Sequence, residues 1–233
     1  MRKFLLIAVA ALLFSLVLPA QNLESLDVSN EPDGKLSMKI GEMLYEGEVL
    51  NGLMEGTWYE IDAKNLVRKV AQYSEGKKTG LYLVIDETGA LVSKSEYLDD
   101  QLHGASITWL RGGRMSGKKS YKNGLRDGEQ IECYDQGNYR EVANYKDDLR
   151  DGLTTWFNQD GSKSMTIEYK SGLFNGVQET FYKNGVLKSS KMYKDNVLDG
   201  PASEYYEDGA LKMQCTYKNG KVSGQVKKYN QKH

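Results

Sequence analysis

A 24-residue step governs this chain. Gly56, Gly80, Gly104, Gly128, Gly152, Gly176, Gly200 and Gly224 stand 24 residues apart, with no insertion or deletion between them. Tyr73, Tyr97, Tyr121, Tyr145, Tyr169, Tyr193 and Tyr217 keep the same step, and so do Gly89, Gly113, Gly137, Gly161, Gly185 and Gly209. A period of this length marks a stack of similar supersecondary units. One such unit cannot bury an apolar face alone, so stability has to come from its neighbours and from atypical ends.

Each unit holds two turn phrases. The first is of the type YKNGLRDG, at 121–128, with variants such as YLDDQLHG, YKDDLRDG and YKDNVLDG; the second is of the type DETG, NQDG or YEDG. YKNG itself serves in both, at 121–124 and 217–220 in the first phrase and at 182–185 in the second. Asn-Gly and Asp-Gly pairs supply the positive φ that tight hairpin turns require. The turn glycines alternate at 11 and 13 residues, room for one strand and its turn. Helical repeats do not fit, because glycine would interrupt every third turn and no 3.6-residue apolar period is present.

The strands alternate as well. In SKSMTIEYK (162–170), Met165, Ile167 and Tyr169 share one face, and in ALKMQCTYK (210–218) Leu211, Met213, Cys215 and Tyr217 match them. Ile61, Ile85, Trp109, Cys133, Phe157, Phe181, Tyr205 and Tyr229 form a further column at one repeat position. The expected fold is all-β, an elongated single-layer antiparallel meander of about seven 24-residue β-hairpin repeats, with the columns stacked as cross-strand neighbours. About 15 strands at ~4.8 Å spacing would make a twisted ribbon on the order of 70 Å long. A parallel β-helix with one coil per 24 residues is the alternative; it uses a similar period but leaves turn chemistry at both ends of each strand unexplained.

The ends differ from the repeat. Residues 1–20 carry Arg2 and Lys3, an apolar run from Phe4 to Leu18, then Pro19 and Ala20, the order of a secretory signal peptide and short for a spanning helix. The expected localisation is therefore export, to periplasm, cell envelope or medium. Loss of Arg2 and Lys3 moves the formal net charge from −1 to −3. With both signs interspersed and no basic block, nucleic acid is not an expected partner. Residues 21–49 read as an N-terminal cap with a degenerate first repeat, and 50–233 as the repeat sheet. The lysines of the tail QVKKYNQKH blunt the last strand.

Chemistry-bearing residues are few. Cys133 and Cys215 lie about seven strands apart, roughly 33 Å, whereas a disulfide needs ~4.4–6.8 Å between Cα atoms, so both are expected as free, buried thiols. His103 occupies the slot before the repeat glycine that elsewhere holds Asp127, Asp151, Asn175 and Asp199, and reads as a turn residue; His233 is the last residue. No Cys/His cluster has metal-ligand spacing and no glycine-rich loop opens a helix. No catalytic residue, metal or cofactor is expected. The Tyr73-to-Tyr217 column reads as structural. Trp58, Tyr82, Tyr134, Trp156, Tyr182 and Tyr206 are expected on the opposite face, as aromatic anchors for a partner.

The units YKNGLRDGEQIECYDQG and YKSGLFNGVQETFYKNGVLK resemble the MORN-repeat variant family, bacterial relatives of the membrane occupation and recognition nexus repeats. The family pattern, roughly Y-x-N-G-x-x-x-G followed by an aromatic pair and x-N-G-x-L, runs almost continuously over residues 50–230. The first units match worst, with Val49 in place of the leading Tyr and Asn65 in place of the third Gly. The resemblance implies a single-layer sheet of hairpins used for binding rather than catalysis. Some bacterial members act as antitoxins, and eukaryotic relatives serve as scaffolds or bind phospholipid; a signal peptide departs from a cytoplasmic antitoxin. The expected function is an exported, non-enzymatic scaffold that binds a protein partner along an extended sheet face, with strand addition at a free edge as a further source of affinity. Alternatives are a module for the cell envelope (wall or lipid) and an antitoxin-like or immunity-like protein against a partner toxin.

Overall fold

The structure is a computed structural model and describes residues 22–231; the expected leader over 1–20 and His233 lie outside the described residues. After a single 3-10 turn at Leu23–Ser25, the chain makes β1 (Gly34–Ile40), β2 (Met43–Leu50), β3 (Leu53–Ile61), β4 (Val67–Ser74), β5 (Lys77–Ile85), β6 (Leu91–Leu98), β7 (Gln101–Trp109), β8 (Met115–Lys122) and β9 (Leu125–Cys133). It continues through β10 (Tyr139–Lys146), β11 (Leu149–Arg150), β12 (Gly152–Phe157), β13 (Lys163–Lys170), β14 (Leu173–Phe181), β15 (Leu187–Lys194), β16 (Val197–Tyr205), β17 (Leu211–Lys218) and β18 (Lys221–Lys228). β11 and β12 are two parts of one strand, interrupted at Asp151 and both paired with β10. Each strand pairs antiparallel with the next in sequence, from β1–β2 to β17–β18, which makes one open meander. Those antiparallel pairings overturn the β-helix alternative.

The 24-residue step is a step in pairing. Tyr73 faces Gly56, Tyr97 faces Gly80, and the relation repeats up to Tyr217 and Gly200. The pairing pattern already holds in β2, where Val49 faces Met54 as Tyr73 faces Lys78. At one edge of the ribbon the turns have two residues, as in Asn123 and Gly124 with φ of 50° and 82°. This left-handed pair is the geometry that Asn-Gly adopts at little cost. At the other edge, from the β3–β4 connection onward, the turns are wider, as at residues 134–138, and a register shift accompanies each of them.

This geometry corrects the expected division of faces. A two-residue turn pairs residue i with i+3, as Lys122 with Leu125, so odd-numbered residues of one strand face even-numbered residues of the next. Trp58 and Tyr82 both pair with Ala71, and Trp156 with Met165. Paired residues of an antiparallel sheet share a face, so Trp58, Tyr82 and Trp156 lie on the tyrosine face and not opposite it. Tyr134, Tyr182 and Tyr206 lie on neither strand face in the sense expected; each opens a wide turn at the far edge, after β9, β14 and β16.

A central row runs along the tyrosine face through Trp58, Ala71, Gln130, Ala143, Thr154, Ile167, Ala202 and Cys215, all buried. Small residues sink there between longer neighbours, which is how a one-layer sheet obtains a core without a second layer. Cys215 is buried and Cys133 half-buried, and both are free. Burial pushes the Cys133 thiol up, which leaves it a poor nucleophile.

Candidate binding surface

Three structural devices position the surface side chains. The first is the set of two-residue tips. The second tip residue of each unit donates its backbone N–H to a carbonyl of the preceding unit: Gly124 to Leu102, Gly172 to Arg150 and Gly220 to Leu198, each at 2.8 Å. Where glycine is replaced by Asp100, Asp148 or Asn196, the side chain also accepts from the backbone N–H of that same residue, Lys78, Arg126 or Phe174, at 2.7–2.9 Å. The DD and DN phrases therefore tie successive tips twice over. The slot before the repeat glycine supplies another tie. Glu55, His103, Asp151 and Asp199 accept the N–H of Glu75, Asn123, Ser171 and Asn219, the first residue of the next tip. His103 is thus an inter-unit cap.

The second device lies at the wide-turn edge. The hydroxyl of Tyr134 donates to the carbonyl of Phe157 at 2.8 Å, that of Tyr182 to Tyr205 at 2.8 Å and that of Tyr206 to Tyr229 at 3.0 Å. The side-chain amides of Asn138 and Asn184 donate further hydrogen bonds to the backbone carbonyls of Gln159 and Glu207. Lys188 and Lys212 lie over the Tyr182 and Tyr206 rings, 5.6 and 5.7 Å from their centroids. These three tyrosines clamp one unit to the next.

The third device is an alternating ladder on the tyrosine face. The residue two places past each tip pair inserts between successive tyrosines of the column. Lys78 lies 4.7 Å from the Tyr97 centroid and Arg126 4.2 Å from Tyr145. Arg150 sits 5.4–5.5 Å from Tyr145, Trp156 and Tyr169. Phe174 packs edge-on between Tyr169 and Tyr193 at 5.1 and 5.6 Å. Cation–π and aromatic contacts of this kind contribute ~0.5–1.5 kcal/mol each, and they explain why tyrosine recurs at this position. Around Arg150 the ladder carries a polar knot: Arg150 pairs with Glu141, which also accepts from Trp156 Nε1 at 2.8 Å.

The first turns of the tyrosine face are already occupied. Residues 22–33 lie across it as a strap, with Leu23, Leu26 and Val28 packed among Tyr45, Val49, Met54, Trp58, Ala71 and Tyr73. The backbone N–H of Leu23 donates to Glu60 Oε2 at 2.9 Å. Glu24 accepts from the Tyr82 hydroxyl and pairs with Lys69 Nζ at 3.0 Å, and Lys69 reaches Glu60 at 3.3 Å. Trp58 is fully buried and donates from Nε1 to the Glu48 carbonyl at 3.1 Å. Trp58 and Tyr82 are therefore engaged within the chain. From β6 onward no described segment covers this face.

Burial alone would raise the Glu24 carboxyl, but the Tyr82 and Lys69 hydrogen bonds more than offset it and hold it below its ordinary 4.5. Burial, with the Glu24 bond, pushes the Tyr82 hydroxyl far up, so it stays a donor. A depressed carboxyl stabilises the fold above its ordinary pKa, and that stabilisation is lost as pH falls through the depressed value. The strap is expected to loosen between about pH 5 and pH 3, read as faster amide exchange at Leu23. Glu24→Gln should remove this pH step; an equally steep step in that variant would assign it to another group.

Sequence reasoning misses one exposed apolar series: Leu125, Leu149, Leu173 and Val197 at the tips, 40–50% accessible. Each follows a tip pair (Leu in YKNGL is the signal), and where the next tip holds a glycine it covers it, as Leu149 does at Gly172 and Val197 at Gly220. Among the described residues no three His, Cys, Asp or Glu side chains gather as a metal site, and no helix is long and apolar enough to cross a membrane.

Residues 174–195 and 198–219, two adjacent units, match the family model described as MORN repeat variant. A comparison with curated proteins gave no match. The matched units lie in β14–β17, where the tyrosine ladder, the tip ties and the wide-turn clamps are all present.

Proposed function

We propose that this repeat protein is an exported, non-enzymatic scaffold whose tyrosine face, beyond β5, takes a short apolar and acidic segment of a protein partner. The observation that carries this reading is the strap. The same face, over β2–β5, already holds a short irregular segment, the 3-10 turn Leu23–Ser25 and the residues after it, through buried Leu23, Leu26 and Val28, one backbone hydrogen bond to Glu60 and one acid on Lys69. Further along, the face offers half-buried Tyr, Trp and Arg side chains, the residue types that dominate binding energy at interfaces. The central row there includes Lys119 and Lys191, each flanked by polar or small partners.

The mature protein, immobilised and exposed to envelope extract, should retain a specific partner. Lys119→Glu with Lys191→Glu should abolish that retention, while Lys118→Glu on the other face should leave it intact. Equal loss in both variants would argue against the tyrosine face. Cosedimentation with purified peptidoglycan or liposomes in the absence of any protein partner would overturn the reading.

A further inference from the structure

The strap lies on the sheet without belonging to it. β1 to β5 pair with one another in sequence order, and none of these pairings involves the strap. The strap's own backbone bonds stay inside it, Ser25 to Asn22 at 2.9 Å and Glu31 to Val28 at 3.1 Å. Its far end is tied down where Asp33 accepts the Asn51 N–H at 2.6 Å. Lifting residues 22–29 therefore breaks no ladder hydrogen bond, and the sheet beneath keeps its pairing. Lys69 also keeps Glu60 at 3.3 Å when Glu24 leaves, so no buried charge is left alone.

The seat under the strap is imperfectly filled. Tyr73 is 7% accessible there, and its hydroxyl has no hydrogen-bond partner among the described residues. Burial pushes that hydroxyl far up, so it keeps its proton and is a donor without an acceptor. A buried donor in that condition is a cost the closed strap carries. Beside it a cleft of about 510 Å³ separates Asp27 and Ser29 of the strap from Lys78 and Asp100 of the sheet. The seat also runs without a gap into the face beyond β5. Tyr82 meets Tyr97 edge-on at 5.8 Å, and Lys78 lies 4.7 Å from the Tyr97 centroid.

We infer that this seat on β2–β5 is a further subsite for a segment of the protein partner, and that the strap is its intramolecular competitor. The inference deepens the partner-binding reading above and rests on it. The occupant reads apolar, acid, any, apolar, any, apolar, the pattern of Leu23, Glu24, Leu26 and Val28. Its apolar side chains refill the cluster around Trp58, and its acid meets Lys69 and the Tyr82 hydroxyl, where Glu24 now sits. The exchange conserves both buried apolar area and charge pairing. An occupant that brings an acceptor to Tyr73 gains a bond the strap does not make. The strap has the advantage of high effective concentration. A partner's apparent affinity for the seat is therefore reduced in proportion to the fraction of protein whose strap is open.

The probe is the peptide NLESLDVSN, residues 22–30 of this chain, titrated into the mature full chain up to about 1 mM. With the native protein, binding should be weak, because the strap holds the seat. With Leu26→Ala and Val28→Ala together, which loosen the strap, the peptide should saturate and perturb the amides of Ala71 and Tyr73. Its affinity should rise at least about tenfold. Glu24→Gln removes only the acid of the strap and should raise peptide affinity by a smaller factor, so the test stands even if the double variant does not fold. A peptide carrying Leu23→Asp should bind none of the three proteins. No partner is present in this titration, so its failure removes the competition and leaves the Lys119 and Lys191 test above intact. Equal affinity for all three proteins, no saturable binding to any, or perturbation centred outside β2–β5 would overturn the inference. Concentration-dependent dimerisation of the native protein, lost in the double variant, would assign the seat to a second copy's strap and overturn it as well.

Discussion

Trp58→Ala is expected to cost about 3–5 kcal/mol, the range for emptying a fully buried large aromatic site, and to unravel the N-terminal end before the rest. The indole lies directly over Gly47, where an added Cβ would overlap ring carbons Cδ2 and Cε2. Leu23, Leu26 and Val28 of the strap close the same cluster. Removing the ring leaves a cavity that Gly47 has no side chain to fill, and the strap loses its main apolar support. In a stack whose units touch only their neighbours, such a loss stays local. Hydrogen exchange should therefore rise across the strap and β1–β4, while amides of Thr154, Ile167 and Ala202 keep their protection. Uniform loss of protection along the ribbon would show instead that the sheet unfolds as one cooperative body.

The repeat can be read from the chain because its turns are chemically marked. Asn-Gly and Asp-Gly phrases at a fixed step specify the hairpins, and from them follow the meander and the free thiols. The faces are harder to read. Numbering parity within a strand is reliable, but each two-residue tip reverses it and each wide turn adds a register shift. Trp58, Tyr82 and Trp156 look opposite to the tyrosine column until those two offsets are applied. The strap is not legible either. Its apolar residues, Leu23, Leu26 and Val28, follow no 24-residue step, and they pack beside the one unit whose tyrosine slot is taken by Val49. The wide-turn tyrosines Tyr134, Tyr182 and Tyr206 resemble free anchors in the sequence because the carbonyls they bind lie 23 residues on, in the next unit.

Gly200→Ala and Gly176→Ala are expected to cost about 2–6 kcal/mol each, from backbone strain of ~1–3 added to overpacking of ~1–3. Both glycines hold a φ that L side chains rarely adopt, +132° and +135°. At Gly200 an added Cβ would lie 2.7 Å from Met192 Cβ and Cγ. At Gly176 it would lie 2.7 Å from Glu168 Cβ and closer still to its carboxylate, which also accepts the Val177 N–H at 3.3 Å. A carboxylate can swing away, but a Cβ fixed to a paired strand cannot, so the neighbouring strand has to shift. Gly224 is the internal control. It has the same place in the repeat and a positive φ, yet nothing lies within 4 Å of an added Cβ. Gly224→Ala should therefore cost only the left-handed strain, ~1–2 kcal/mol. Urea unfolding of the three variants separates the two contributions. Equal losses at all three positions would mean that the backbone alone demands glycine, and that the neighbouring strand contributes nothing to the repeat's most regular residue.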